Sequence, residues 1–303
     1  MNTNIKTAKS DTKISFYVTN RPHVVKELVF FFIITFTIMF GLGGLGMAFR
    51  SHIENIFGPI SNNNIFVMIL IYAPTIAGLT LTIIFEGWSG LVALFKRGVL
   101  FIKPKWLLIA IFIIPLVLLV YGLFTYLTEI GASSFNWIAY FSTFPLLIFS
   151  LNIFIDAGPL GEELGWRGYA LPRLLQLHSP IVATSILSVF WTAFHLVAFL
   201  APGTNQYGMS FFWFTVWCFS ICFIMTWLYM NTGGNWIVSG VLPHYIINSF
   251  AINGAFMVGP GVSIFLGIAV IIIFLFKGFF ENAGMHGSDA TLKVSPAHAS
   301  DVK

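Results

Sequence analysis

Residues 106–126 read WLLIAIFIIPLVLLVYGLFTY, and the fold class of the chain follows from this stretch. It contains no charged residue and has about the 20 residues that an α-helix needs to cross the hydrocarbon core of a bilayer. A helix is the expected conformation, because an open sheet edge would leave backbone groups without hydrogen bonds in lipid. The stretch therefore predicts a transmembrane helix.

Seven further apolar stretches of similar length lie on either side of it. They cover residues 28–49, 65–85, 137–155, 180–200, 210–230, 236–257 and 261–280. Together these stretches predict an all-α, polytopic membrane protein with a bundle of about eight transmembrane helices. The bundle would occupy residues 28–280, between a polar basic tail at 1–27 and a polar tail at 281–303.

The composition of the 303-residue chain excludes several classes of protein. Hydrophobic residues make up 57% of the sequence and charged residues only 9%, whereas an ordinary soluble domain has about 25% charged residues. So few charges cannot form a water-facing surface. A soluble globular protein, a disordered chain and a nucleic-acid-binding protein are excluded, and the lipid bilayer is the expected environment.

Basic residues predict the orientation of the first spans. Five lie in the N-terminal tail and four in the connection at 86–105, whereas Arg50 alone lies between the first two spans. Because cytoplasmic loops are enriched in Lys and Arg, the N-terminus is predicted to be cytoplasmic, with the bundle in the cell membrane.

Residues 156–178 are too polar to be recognised as a span by hydropathy. They have helical periodicity and carry five charged side chains: Asp156, Glu162, Glu163, Arg167 and Arg173. The segment is either an interfacial helix or a polar helix buried among the others. The first alternative gives eight crossings and the second gives nine.

A helical hairpin would bring two polar residues of this region together. Glu162 lies 16 residues before His178, and His195 lies 17 residues after it. At 1.5 Å per residue, each would be roughly 24–26 Å from a turn at this position. The spacing therefore predicts that Glu162 and His195 face one another inside a polar-cored hairpin.

Spacings of four residues place further polar side chains on shared helix faces. Glu163 and Arg167 have the spacing of a salt bridge within a helix. Glu162 points about 100° away from that pair, which leaves its carboxylate free to act. His244 and Asn248 likewise share one face of an apolar span.

Four of these polar residues carry the functional groups that hydrolysis in a buried pocket requires. Glu162 can take a proton from a water that His195 orients. His244 and Asn248 can donate hydrogen bonds to a developing oxyanion. Alternatively, Glu162, His195 and His244 can ligate a divalent metal such as zinc, and the residues alone do not choose between these chemistries.

Three motifs occur in a recognisable order. Residues 162–167 read E-E-x-x-x-R, an apolar span containing His195 follows, and residues 244–248 read H-x-x-x-N. This set resembles the CPBP family, also called Abi: the type II CAAX prenyl proteases and the bacteriocin-processing enzymes. The resemblance covers about residues 140–255 and implies an intramembrane endopeptidase with a conical, water-open cavity in a helical bundle.

The resemblance also implies a role for each matching residue. Glu162 would activate water together with His195, while His244 and Asn248 would form the oxyanion site. Two further residues would support them: Glu163 and Arg167. Family members have been described both as metalloproteases and as glutamate-dependent proteases, so the resemblance leaves a metal open.

One position departs from the family pattern. The second motif is often F-x-x-x-H, and here Trp191 stands four residues before His195. Because Trp is also a large aromatic residue, we expect an altered pocket wall rather than altered chemistry.

Two other functions are compatible with the same polar residues. A non-catalytic bacteriocin immunity or binding protein would keep the pocket without turnover, and a proton-coupled transporter would use Glu and His as a relay. The sequence favours an intramembrane endopeptidase that cuts a peptide or protein substrate near the membrane surface.

Overall fold

The computed structural model describes residues 23–149, 153 and 156–276. Both predicted tails lie almost wholly outside these residues, so the tails and the orientation in the membrane stay predictions. Regular structure in the described part is helical, apart from an isolated antiparallel bridge between Phe135 and Phe256. The chain is an all-α, polytopic membrane protein, as predicted.

The helices overlap the predicted spans, although several begin or end at other residues. In chain order they are α1 (Val24–Ala48), α2 (Arg50–Phe57), α3 (Ile65–Ile71), α4 (Ala73–Gly98), α5 (Pro104–Thr128), α6 (Trp137–Phe149), α7 (157–177), α8 (Pro180–Leu200), α9 (Phe211–Asn231), α10 (Ile237–Ile252) and α11 (Pro260–Leu275). Five helices of the described residues are long and apolar enough to cross a membrane: α1, α4, α5, α8 and α9. Among the described residues, the predicted spans at 137–155, 236–257 and 261–280 contain shorter helices, and the ends of the first and third of these spans lie outside the described part.

Helix α1 begins earlier than the sequence predicts. The predicted span starts at residue 28, whereas α1 starts at Val24 and includes Glu27. The carboxylate of Glu27 is buried and accepts a hydrogen bond of 2.7 Å from Nε of Arg173 in α7. The contact with Arg173 explains why an acidic residue can be buried in the first turn of α1.

The predicted span at 65–85 is divided between two helices. Helix α3 ends at Ile71, and Pro74 lies in the first turn of α4, where its missing N–H is not needed. Helix α4 then continues to Gly98 past a kink at Gly87, whose φ of 65° is readily adopted only by glycine.

Helix α7 is the polar segment, and it is buried among the other helices rather than lying at the surface. Every residue from 161 to 174 is buried. Its charged side chains have partners, since Arg167 pairs with Glu163, and Arg173 pairs with Glu27 and Glu86. Pairing is what makes buried charges tolerable in an apolar bundle.

Two π-helical stretches lie beside the candidate residues. One covers Leu164–Ala170, directly after Glu163, and the other covers Ile237–Val241, just before Pro243. Such stretches are rare in proteins, but those that occur are often found at functional sites. The wider turn changes the direction of the neighbouring side chains.

Gly165 allows α7 to approach α4 closely. A Cβ at this position would lie 2.3 Å from the carbonyl carbon and oxygen of Pro74, which are backbone atoms. We expect Gly165→Ala to lower the free energy of unfolding by about 1–3 kcal/mol, because overpacked sites must shift their surroundings. Thermal denaturation in detergent measures this loss.

Gly44→Ala is the matched control for this prediction. Gly44 is an exposed helical glycine of α1, and a Cβ there meets nothing within 4 Å. This variant should be as stable as the wild type or slightly more stable, because Ala favours helix over Gly. Equal melting temperatures for the two variants would contradict the close α4–α7 packing.

Candidate active site

A cavity of about 510 Å³ brings the predicted site residues together. Four of them line it: Glu162 on α7, His195 on α8, and His244 and Asn248 on α10. Apolar side chains contribute much of the remaining wall, among them Met39, Leu70, Val197 and Phe214. The cavity is therefore an apolar chamber with a small group of convergent polar residues, the usual form of a ligand site.

Glu162 and His195 face each other across the hairpin, as the spacing predicts. Oε1 of Glu162 lies 3.9 Å from Nε2 of His195. The gap is too long for a direct hydrogen bond and fits one water molecule that touches both atoms. Both side chains are largely shielded, with 5% of the Glu162 side chain and 12% of the His195 side chain exposed.

The backbone of α8 selects the tautomer of His195. Its Nδ1 lies 2.8 Å from the carbonyl oxygen of Trp191. A carbonyl only accepts hydrogen bonds, so Nδ1 carries the proton. In the neutral imidazole, Nε2 then presents a lone pair to the gap, opposite the carboxylate of Glu162. A water placed between two acceptors would donate one hydrogen bond to each and keep its own lone pairs free.

Trp191 contacts the other oxygen of Glu162. Its Nε1 donates a hydrogen bond of 2.6 Å to Oε2, and the indole is fully buried. Trp191 therefore lines the cavity wall, as expected, and also contacts Glu162. The expectation that the chemistry is unaltered stays a prediction. The sequence contained a signal for this contact, since Trp191 shares a helix face with His195 and carries an N–H that Phe lacks.

The carboxylate of Glu163 joins Arg167 to His244. Nη1 of Arg167 and Nδ1 of His244 each lie 2.8 Å from Oε1 of Glu163, and all three residues are buried. The Glu163–Arg167 pair is the one predicted from the four-residue spacing. The contact with His244 links residues 81 positions apart, and no local spacing rule could have predicted it.

Asn248 lies one helical turn after His244 on α10, and both side chains line the cavity. Nδ2 of Asn248 faces the start of α7, since a Cβ built on Gly158 would lie 3.3 Å from it. The small residue at 158 thus leaves room for the amide. His244 and Asn248 present two polar groups to the chamber that also contains Glu162 and His195.

The rim of the cavity carries a partly exposed charge pair. Arg50 lines the cavity, and its Nε donates a hydrogen bond of 3.0 Å to Glu54. This bond, together with the backbone N–H of Ile60, holds the pKa of the Glu54 carboxyl below its usual value. The rim cation is therefore balanced by a carboxylate next to it.

The side-chain arrangement of the described residues does not fit the alternative of a metal centre. Among the described residues, no group of three or more His, Cys, Asp or Glu side chains is arranged to hold a metal ion. The set formed by Glu162, His195 and His244 does not meet this condition.

Two comparisons with known proteins agree with the motifs. Residues 141–250 match the family described as type II CAAX prenyl endopeptidase Rce1-like. CAAX prenyl protease 2 of Methanococcus maripaludis is 29% identical over 136 residues, which cover 41% of this chain and 49% of that protein. The chain thus spans about half the length of this relative. The predicted resemblance to CAAX protease-like proteins is confirmed.

Proposed function

We propose that this CAAX protease-like chain is an intramembrane endopeptidase that hydrolyses a peptide bond near the membrane surface. The observation that carries the proposal is the 3.9 Å gap between Glu162 and His195, two acceptors that face each other in a cavity. The substrate would be a peptide or protein segment that reaches this cavity from the bilayer.

Glu162 and His195 activate the water in this mechanism. The water donates one proton toward Oε1 of Glu162 and the other toward Nε2 of His195. Glu162 removes its proton as the oxygen attacks the scissile carbonyl carbon, and the protonated carboxyl then delivers it to the leaving amide nitrogen. General base catalysis of this kind contributes about 10²- to 10⁴-fold to the rate.

His244 and Asn248 stabilise the oxyanion that forms on the carbonyl oxygen. Asn248 donates from its amide. Nδ1 of His244 is bound to Glu163, so His244 donates from Nε2 in its doubly protonated form. In that form the charges of Glu162, Glu163, Arg167 and His244 cancel, which suits a site inside an apolar bundle.

Isotope labelling tests the proposed reaction directly. The purified protein in proteoliposomes is incubated with a library of membrane-inserted peptides in H₂¹⁸O. We expect cleavage with one ¹⁸O in each new C-terminal carboxylate, because water attacks the carbonyl carbon. Peptides that stay intact across the library, or products without the label, would contradict the proposal.

Replacing Asn248 tests the oxyanion site. We expect Asn248→Ala to lower kcat by roughly 10²- to 10³-fold, the usual effect of removing one oxyanion donor. Asn253→Ala is the matched control on the end of the same helix, because the exposed Asn253 lies outside the cavity wall and donates to Thr143. Steady-state kinetics that show equal losses in both variants would exclude this role of Asn248.

A further inference from the structure

We propose that Trp191 is a positioning residue that gives the two oxygens of Glu162 different tasks. The inference rests on the proposed function and deepens it. Nε1 of Trp191 donates to Oε2 at 2.6 Å, whereas Oε1 faces Nε2 of His195 at 3.9 Å. The indole therefore occupies one oxygen of the carboxylate and leaves the other directed at the water.

The indole contact fixes the plane of the carboxylate. The terminal torsion of a Glu side chain is broad, so an unheld carboxylate samples many orientations. A hydrogen bond to a charged acceptor is short and strong, and it is the kind of contact that removes this freedom. With Oε2 held by Trp191, Oε1 keeps its direction toward His195.

The backbone of the same residue fixes the second acceptor of the water. The carbonyl oxygen of Trp191 lies 2.8 Å from Nδ1 of His195 and thereby sets its tautomer. One residue thus orients both groups that face the gap. A register shift or rotation of α8 at this position would disturb Glu162 and His195 together.

The ring of Trp191 also packs against Arg167 and His244. The guanidinium carbon of Arg167 lies 4.5 Å from the ring centroid, the geometry of a cation–π contact. The ring of His244 packs edge to face at a centroid distance of 5.5 Å. A Phe at this position would keep an aromatic ring beside these groups and would lose the N–H to Glu162.

Trp191→Phe therefore isolates the indole N–H. We expect kcat to fall about 10- to 100-fold, which corresponds to the loss of one hydrogen bond to a charged group. KM should change by less than about twofold, because the contact acts on the base and not on the bound peptide. Thermal denaturation verifies that the variant is folded.

Trp166→Phe is the matched control. Trp166 is also fully buried, lies on α7, and its Nε1 has no hydrogen-bond partner within the part of the chain that the structure describes. The substitution makes the same change in volume and removes no polar contact of this kind, so kcat should stay within about twofold of the wild type. Equal losses of kcat in the two Phe variants would overturn the proposal.

A spectroscopic measurement gives a readout that does not depend on activity. In protein labelled with ¹⁵N at the indole nitrogen, the resonance that disappears in Trp191→Phe belongs to Trp191. We expect Glu162→Gln to move this resonance, because a neutral amide replaces a charged acceptor, and to leave the Trp166 resonance in place. If the chemical shift of the Trp191 resonance is the same in the Glu162→Gln variant as in the wild type, the proposal is overturned. Failure of the proposed function looks different, because the wild-type protein would then cleave no peptide.

Discussion

Glu162→Gln is expected to lower kcat for peptide hydrolysis by roughly 10²- to 10⁴-fold while the protein stays folded. Gln has nearly the size and shape of Glu, and its oxygen can still accept the hydrogen bond from Trp191. It cannot take a proton from water, because an amide is not a base at neutral pH. The same peptide assay in proteoliposomes measures the loss.

Glu129→Gln is the control for this substitution. Glu129 is an exposed residue that follows the last turn of α5, and it does not line the cavity. The substitution makes the same chemical change outside the proposed site, so the turnover of the Glu129→Gln variant should match that of the wild type. Near-wild-type turnover by Glu162→Gln would remove Glu162 from the mechanism and with it the proposed hydrolysis.

Arg167→Met is expected to have the largest effect on stability. Arg167 and Glu163 are both fully buried, and their 2.8 Å ion pair lies in the middle of α7. Removal of one partner of a buried pair costs about 3–5 kcal/mol, because the carboxylate that is left loses its cation. Here Glu163 would keep only the contact with His244. Denaturation in mixed detergent micelles gives the free energy of unfolding for this comparison.

The double variant Arg167→Met with Glu163→Gln separates charge from packing. It should recover part of the lost stability, since the Glu163 carboxylate that lost its cation is no longer present. It should not recover activity, because His244 no longer has a charged partner to hold its Nδ1. If the double variant is no more stable than Arg167→Met, the loss comes from packing and not from the unpaired charge.

Arg50→Met is the matched control for the stability measurement. Its ion pair with Glu54 has the same four-residue spacing and the same 2.8 Å separation, but 37% of the Arg50 side chain is exposed. Exposed pairs contribute little to stability, so no measurable change is expected. A loss as large as that of Arg167→Met would show that burial is not the source of the effect.

Local rules predicted the features that depend on neighbouring positions in the chain. The apolar run at 106–126 lies within α5, and the four-residue spacing of Glu163 and Arg167 corresponds to an ion pair. The hairpin spacing brought Glu162 opposite His195, because helical rise and one turn fix the relative height of two antiparallel residues. These features follow from helix geometry and need no knowledge of the packing.

Contacts between distant helices needed the tertiary structure. The earlier start of α1 depends on Glu27 meeting Arg173, which lies 146 residues further along the chain. The bond from His244 to Glu163 depends on how α10 packs against α7. Both pairs are too far apart in the sequence for the geometry of a helix or a turn to predict a contact, so no periodicity could reveal them.

The amino-acid sequence alone was sufficient for the all-helical membrane fold and for the hairpin that places Glu162 opposite His195, because hydrophobic length and helical period are properties of short segments. The packing of the helices was needed to bury residues 161–174 and to aim the indole of Trp191 at Glu162. Buried charges in an apolar bundle need partners. Arg167 meets Glu163 within α7, whereas the partners of Arg173 come from α1 and α4, which lie far away in the sequence.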